Sequence, residues 1–185
     1  MIPKQLIQAR FIHSSMTSQK LCNGEERIWS LSNILTDKKS KFQAFSIKLN
    51  DESEIAKLLD DLKTANSKII KSTHPTMFAW RTAKLNELGN NFTNIDQGYY
   101  DCGESGAGYK ISKVLENFKI YNVLCVVTRW YGGIPLGPAR FRDISSVAME
   151  SIQKGDFSNS KTHFVVDVEQ VKRTSKKKSK SKRTN

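Results

Sequence analysis

The sequence predicts an α/β fold of the α+β kind, a two-layer sandwich in which a sheet of about four strands is covered by helices on one face. Three observations lead there. Alternating apolar positions and helical apolar stripes follow one another in the order strand, strand, helix, strand, helix, strand, helix. Val123 to Val127 form an uninterrupted apolar run, short enough for a strand and suited to the centre of a sheet. Two glycine clusters, within 101–108 and 132–137, each stand directly ahead of a helical stripe.

Taken in order, Trp29 to Leu35 reads as a first strand, and Asp37-Lys38-Lys39-Ser40 as a turn. Phe45, Ile47 and Leu49 then alternate with polar residues as a half-buried strand does. Asp51 followed by Glu54 has the spacing of a capping box, and Ile55, Leu58, Leu59 and Leu62 form the buried stripe of a helix running to about Asn66. Thr76 to Arg81 is a third strand. Residues 83–98 are polar, hold Gly89-Asn90-Asn91 and lack a period, so they form a long loop or an irregular hairpin. Ser105 can cap a second helix with the stripe Ile111, Val114, Leu115 and Phe118. After the central strand, Gly132, Gly133 and Gly137 shape a turn, and Pro138 opens a third helix that places Phe141, Ile144, Ala148 and Ile152 on one face. Phe164, Val166 and Val168 alternate as an extra edge strand within 156–171.

The length of 185 residues suits one domain with unstructured ends: a leader over 1–28, the folded domain over 29–155, and a basic tail over 172–185. The formal charge of +12 belongs to those ends. Residues 172–185 carry eight Lys or Arg and residues 1–24 three more, neither stretch holds an acid, and +1 remains for residues 25–171. Lys4, Arg10 and Lys20 with no acid over residues 1–20 suit a mitochondrial leader, but basic and apolar faces separate poorly there, so a disordered leader is expected. Met16 offers a second start. Cys22, Cys102 and Cys125 make an odd count without a Cys-x-x-Cys, which points to a reducing compartment and away from a disulfide framework or zinc site. No segment reaches the roughly 18 apolar residues of a membrane span.

The turn between Arg129 and Arg140 can bind anions through backbone N–H groups at a helix start. It is no P-loop, because no Gly-Lys-Ser/Thr follows its glycines. Asp101 and Glu104 flank Gly103 ahead of the second helix. One reading makes them metal ligands or acid/base groups. The favoured one has them hold Arg129 or Arg140 and fasten the two glycine bends together. His13, His74 and His163 show no ligand spacing, and Cys102, beside acidic Asp101, lacks the electropositive setting of a nucleophilic thiolate. Aromatics near the turn, Trp80, Tyr99, Tyr100, Trp130 and Tyr131, suit either RNA bases or a core. In the tail, Lys176, Lys177, Lys178, Lys180, Lys182 and Arg183 can bind phosphate backbones or acidic protein surfaces, or act as a nuclear address.

Asp101-Cys102-Gly103-Glu104-Ser105 with Gly108, then Asn122-Val123-Leu124, Thr128-Arg129-Trp130-Tyr131-Gly132-Gly133, Leu136-Gly137-Pro138 and Arg140-Phe141, resemble the IMPACT family. Lys39-Ser40-Lys41-Phe42 and Thr73-His74 followed by Ala79 are similar to its earlier motifs, and the match covers roughly Ser30 to Lys154. The family commonly has a second Asp where this chain has Cys102, which argues against a paired-carboxylate site. The resemblance implies a fold shared with the second domain of a small-subunit ribosomal protein and with domain IV of the translocating elongation factor. It also implies a cytosolic regulator of translation. Eukaryotic relatives oppose the starvation-responsive kinase that phosphorylates an initiation factor, by competing for that kinase's activator, and usually carry an N-terminal RWD domain. The roughly thirty residues ahead of the matched region here are too few for one, so a layout closer to that of an isolated IMPACT domain is expected.

The expectation is therefore a non-enzymatic, cytoplasmic, monomeric regulator without cofactor or metal. It binds the kinase's activator, the ribosome or RNA through Asp101, Gly103, Glu104, Ser105, Arg129, Tyr131, Gly132, Gly133, Gly137 and Arg140. The alternative is an enzyme acting on phosphate esters or nucleotides through the turn from Gly132 to Gly137.

Overall fold

The computed structural model describes residues 19–20, 26–86 and 92–157. Its elements run β1 (Gln19–Lys20), β2 (Glu26–Arg27), β3 (Ser30–Leu31), β4 (Leu35–Asp37), β5 (Ser40–Lys48), α1 (Ile55–Ala65), α2 (Ser67–Ile70), β6 (His74–Leu85), β7 (Phe92–Tyr100), α3 (Ala107–Asn117), β8 (Val123–Trp130) and α4 (Ala139–Lys154). The strand expected within 156–171, the tail lysines, Cys22, His13 and His163 lie outside the described residues.

Val123 to Val127 occupy the middle of the sheet, as their composition requires: the order is β3-β5-β8-β6-β7, every pairing is antiparallel, and all five residues are fully buried. Around them the layering differs from the expected single covered face. Val123, Cys125 and Val127 join Phe42, Ala44, Met77 and Ala79 beneath α3 and α4. Leu124 and Val126 point the other way and join Phe45, Ile47, Trp80, Leu58 and Leu62 beneath α1. Successive strand residues face opposite sides, so a run apolar at both parities needs a helix layer on each side. The sheet has six strands rather than about four.

The first strand is split. Ser30–Leu31 and Leu35–Asp37 pair separately with β5, and Lys38 and Lys39, both at positive φ (42° and 67°), close the tight hairpin from β4 to β5. The fold also reaches ahead of Trp29. Arg27 is buried, donates to the Lys48 carbonyl at 3.0 Å and grips both carboxylate oxygens of Glu54 at 2.7 and 2.8 Å. Glu54 is thus engaged by Arg27, and Asp51 caps the helical entry by accepting from Ser53 N–H. The described residues of the polar stretch 83–98, on either side of 87–91, pair as antiparallel arms, which is the irregular hairpin of the two expected forms. Its return strand β7 is an edge, exposed on both sides and therefore without alternation.

The β6–β8 pairing carries an irregularity between His74 and Met77, where an extra residue is accommodated. Such a bulge re-aims side chains. Pro75 sits within it, its carbonyl accepting from Thr128 Oγ at 2.7 Å, and His74 swings toward the α3 entrance. On the far side of the sheet centre, α4 is tied in through Ser151, whose hydroxyl lies 2.7 Å from that of Ser46 in the core.

Candidate functional site

The two glycine bends meet. The first, 101–106, turns the chain from edge strand β7 into α3; the second, 131–138, turns it from central strand β8 into α4. In the first bend Asp101 is spent on backbone. Its carboxylate accepts from Gly106 N–H at 2.9 Å and Gly108 N–H at 2.8 Å, satisfying donors that a helix start leaves open. This is the cap that Ser105 was expected to supply. Ser105 is exposed and makes no capping bond, while Gly106 occupies the N-cap position in a left-handed conformation, φ 84°.

Glu104 is the joint between the bends. It is 7% exposed and pairs with the Arg129 guanidinium from the end of β8. Arg140 from the first turn of α4 brings Nε to 2.5 Å of Glu104 Oε1, a charge contact out of line for a hydrogen bond, while its Nη1 donates to the Gly137 carbonyl at 2.7 Å. His74 completes the ring: Nε2 lies 3.3 Å from Glu104 Oε2, and Nδ1 faces the Cys102 carbonyl at 3.0 Å. One carboxylate thereby ties together β6, β8, α3 and α4, with charge-assisted contacts in a nearly dry setting.

The expected sites divide as follows. Glu104, Arg129 and Arg140 come together, with Asp101 and Gly103 on the same bend. Arg129 is only 5% exposed, so it is a buried partner of Glu104 and no surface ligand. Tyr131, 45% exposed, stands on the outside with its ring 5.3 Å from the Arg129 guanidinium. Trp80 is core, whereas Tyr99 and Tyr100 are exposed. Part of the expected anion cradle in the second bend is taken up from within. Tyr131 N–H donates to Thr73 Oγ at 3.1 Å, Gly132 N–H to Ser40 Oγ at 3.2 Å, Arg140 N–H to the Gly137 carbonyl and Phe141 N–H to that of Pro138. Thr73 and Ser40 stand in the family-like motifs named from the sequence, but no role was assigned to them there, since a hydroxyl carries no local signal of a backbone partner far along the chain.

Two further groups bear on chemistry. Cys125 lies in the core, where burial pushes its thiol up to about 11, so it is no nucleophile. Asp143 of α4 is buried, one carboxylate oxygen without a partner, and burial, then the charge of Asp37, raise its carboxyl above the ordinary value. A carboxyl raised on folding supports the fold while protonated, below its unfolded value of 3.8, and that support is lost as pH rises through the folded value. Asp143→Asn should therefore raise the melting temperature at neutral pH, by about 2 °C, with the gain vanishing in acid. An unchanged or lower melting temperature at neutral pH would refute this. Among the described residues no group of three or more His, Cys, Asp or Glu could hold a metal, and no helix is long and apolar enough to cross a membrane.

Beside the joint, on the α1 face of the sheet, a cleft of about 860 Å³ opens between α2 and the β4–β5 hairpin, with Trp130 and Tyr131 on its wall.

A family model described as the Impact N-terminal domain matches residues 38–152. The chain is 40% identical to "IMPACT family member YDL177C" of Saccharomyces cerevisiae, covering 71% of this chain and 94% of that protein. It is 36% identical to the "Protein IMPACT homolog" of the same yeast, covering 71% of this chain and 48% of the relative, so it spans about half of that longer protein. Among solved structures it is similar to the two-domain translational regulator Yih1, at 30% identity and TM-score 0.50, over 85% of this chain and 56% of that one. It also shares the fold of a hypothetical protein at 18% identity and TM-score 0.53, over 68% and 61% of the two chains.

Proposed function

The chain belongs to the IMPACT family, and on that footing we propose that it is a non-enzymatic regulator of translation, working in the cytoplasm during amino-acid starvation by binding. The observation that carries this reading is the fate of its acid/base-type groups. Glu104 is held by Arg129, Arg140 and His74, and Asp101 by two backbone amides. A general base needs a reachable lone pair and a nucleophile needs a neighbouring base. Neither carboxylate has such freedom. An enzyme acting on phosphate esters through the Gly132–Gly137 turn finds less support, because the Gly132 amide within that turn and the Tyr131, Arg140 and Phe141 amides beside it already have partners.

A relative similar over most of this chain carries the description of translational regulator. The partners follow from that role: the ribosome or RNA, or the activator of the starvation-responsive kinase. Co-sedimentation of the full chain with ribosomes, with and without nuclease, followed by affinity capture from starved cells, tests it. The chain is expected in ribosomal fractions, with captured material drawn from the translation apparatus. Absence from those fractions, together with capture of no ribosomal, RNA or kinase-pathway component, would overturn the reading.

A further inference from the structure

We propose that the cleft between α2 and the β4–β5 hairpin binds single-stranded RNA, stacking bases on Tyr131 and Trp130 and holding phosphates with Lys39, Lys41, Lys68 and Lys71. The proposal rests on the translation-regulating reading for the choice of RNA and names the site and chemistry through which it would act.

The four lysines converge from three places in the chain: the hairpin tip, the start of β5, and the α2 segment with the turn after it. All four are exposed, none is in an ion pair among the described residues, and the lining contains no acid. A middle of the chain that is nearly neutral in sum thus concentrates uncompensated positive charge on one cleft. The floor is apolar, with Trp29, Phe45 and Leu62.

The aromatic wall is held in place beforehand. Trp130 Nε1–H donates to the Lys68 carbonyl at 3.0 Å, fixing the indole against α2. Tyr131 is anchored through its backbone to Thr73 and leans on the Arg129 guanidinium, itself held by Glu104. The buried joint thereby positions an exposed ring, so little ordering cost remains when a base stacks on it. Gln43 donates to the Ser32 carbonyl through Nε2 and Asn66 accepts from Lys68 N–H through Oδ1, which leaves Gln43 Oε1 and Asn66 Nδ2 for base edges. At about 860 Å³ the cleft is at the upper end of drug-sized sites.

Charge complementarity selects the occupant. The chain's own ends are basic and without acids over 1–24 and 172–185, so they are repelled. An acidic peptide would satisfy the lysines but leave ring faces and amides unused. Single-stranded RNA uses all three, whereas a duplex hides its base faces.

The test is titration of the full chain with a short single-stranded oligouridylate, read by tryptophan emission. Trp29 and Trp80 are buried and Trp130 is part-exposed, so the signal reports the cleft and not the tail. Emission is expected to be quenched, and the quenching to disappear in Trp130→Phe. Tyr131→Ala should weaken binding about tenfold. Lys68→Gln with Lys71→Gln should reduce the slope of log affinity against log salt by about 1.4, at about 0.7 per phosphate contact. Unchanged emission, photo-cross-links confined to the tail, or a polyglutamate that quenches more tightly than RNA at matched salt would overturn the proposal. Loss of ribosome association together with capture of no ribosomal, RNA or kinase-pathway component, with quenching intact, sinks the regulatory reading and leaves the cleft; quenching lost with ribosome association intact sinks the cleft alone.

Discussion

Replacing Glu104 by glutamine is expected to lower the melting temperature by on the order of 10 °C while leaving the folded protein able to bind its partner. Glu104 is the carboxylate that Arg129, Arg140 and His74 share, and it is almost wholly buried. Removing one side of a buried pair costs about 3–5 kcal/mol, because the remaining charge has lost both water and partner. Arg129 is the group so stranded: it is 5% exposed, its Nε already has no hydrogen-bond partner, and its rim is aromatic, with Phe42 and Tyr131 rings at 5.4 and 5.3 Å. A domain of this size holds about 5–15 kcal/mol in all, so the variant should fold but melt early. Thermal unfolding followed by circular dichroism measures it. A melt superimposable on the parent would mean that the joint carries no load, and loss of partner binding in the cold, fully folded variant would mean that Glu104 is a functional group after all.

Gly132→Ala should be comparably damaging for an unrelated reason. A Cβ at Gly132 would lie 2.1 Å from the carbonyl carbon of Lys39 and 2.3 Å from its oxygen, so the clash is with hairpin backbone that has no rotamer to change. Overpacking typically costs about 1–3 kcal/mol, and a backbone obstacle places this case at the top of that range or beyond. Gly133 is the control. It has φ 82° but open space where a Cβ would go, so Gly133→Ala should cost only about 1 kcal/mol of left-handed strain. Urea unfolding midpoints of the two variants compare them directly. Equal losses would show that conformation, and not the close approach of the β4–β5 tip to the second bend, accounts for Gly132.

The two effects have a common origin. Glu104 fastens the first bend to the second, and Gly132 lets the second nest against the hairpin tip, with Gly132 N–H donating to Ser40 Oγ. The hairpin carries Lys39 and Lys41, so the packing that stabilises the bends also sets the spacing between the lysines and the Tyr131 ring. Substitutions of the cleft's exposed side chains should therefore change binding with stability unaltered, whereas those in the joint should change stability first and reach binding only through the spacing the joint sets.

What could be read beforehand was what is written locally. The central position of β8 follows from five consecutive apolar residues, and the α1, α3 and α4 stripes from their period, because burial of those faces is decided by nearest neighbours in the chain. The same β8 run also held the sign of a second helix layer, since Leu124 and Val126 are as apolar as Val123, Cys125 and Val127. Strand β7 was illegible as a strand because an edge exposed on both sides has no reason to alternate. At the site, the pairing of Glu104 with Arg129 or Arg140 was open to anticipation from charge and position. The depth of Arg129 was not, since it depends on packing by Phe42 and Tyr131 from other segments. Nor was the cleft: Lys39, Lys41, Lys68 and Lys71 each sit in a segment that by itself reads as a solvated turn or helix face, and only the sheet brings them to one opening.

A double-mutant cycle in urea between Glu104→Gln and Arg129→Met is the most direct test of whether the meeting of the bends is a structural ion pair. A coupling of about 2 kcal/mol or more is predicted, within the range for residues that share a buried network. Losses that simply add, as they would for independent sites, would contradict it.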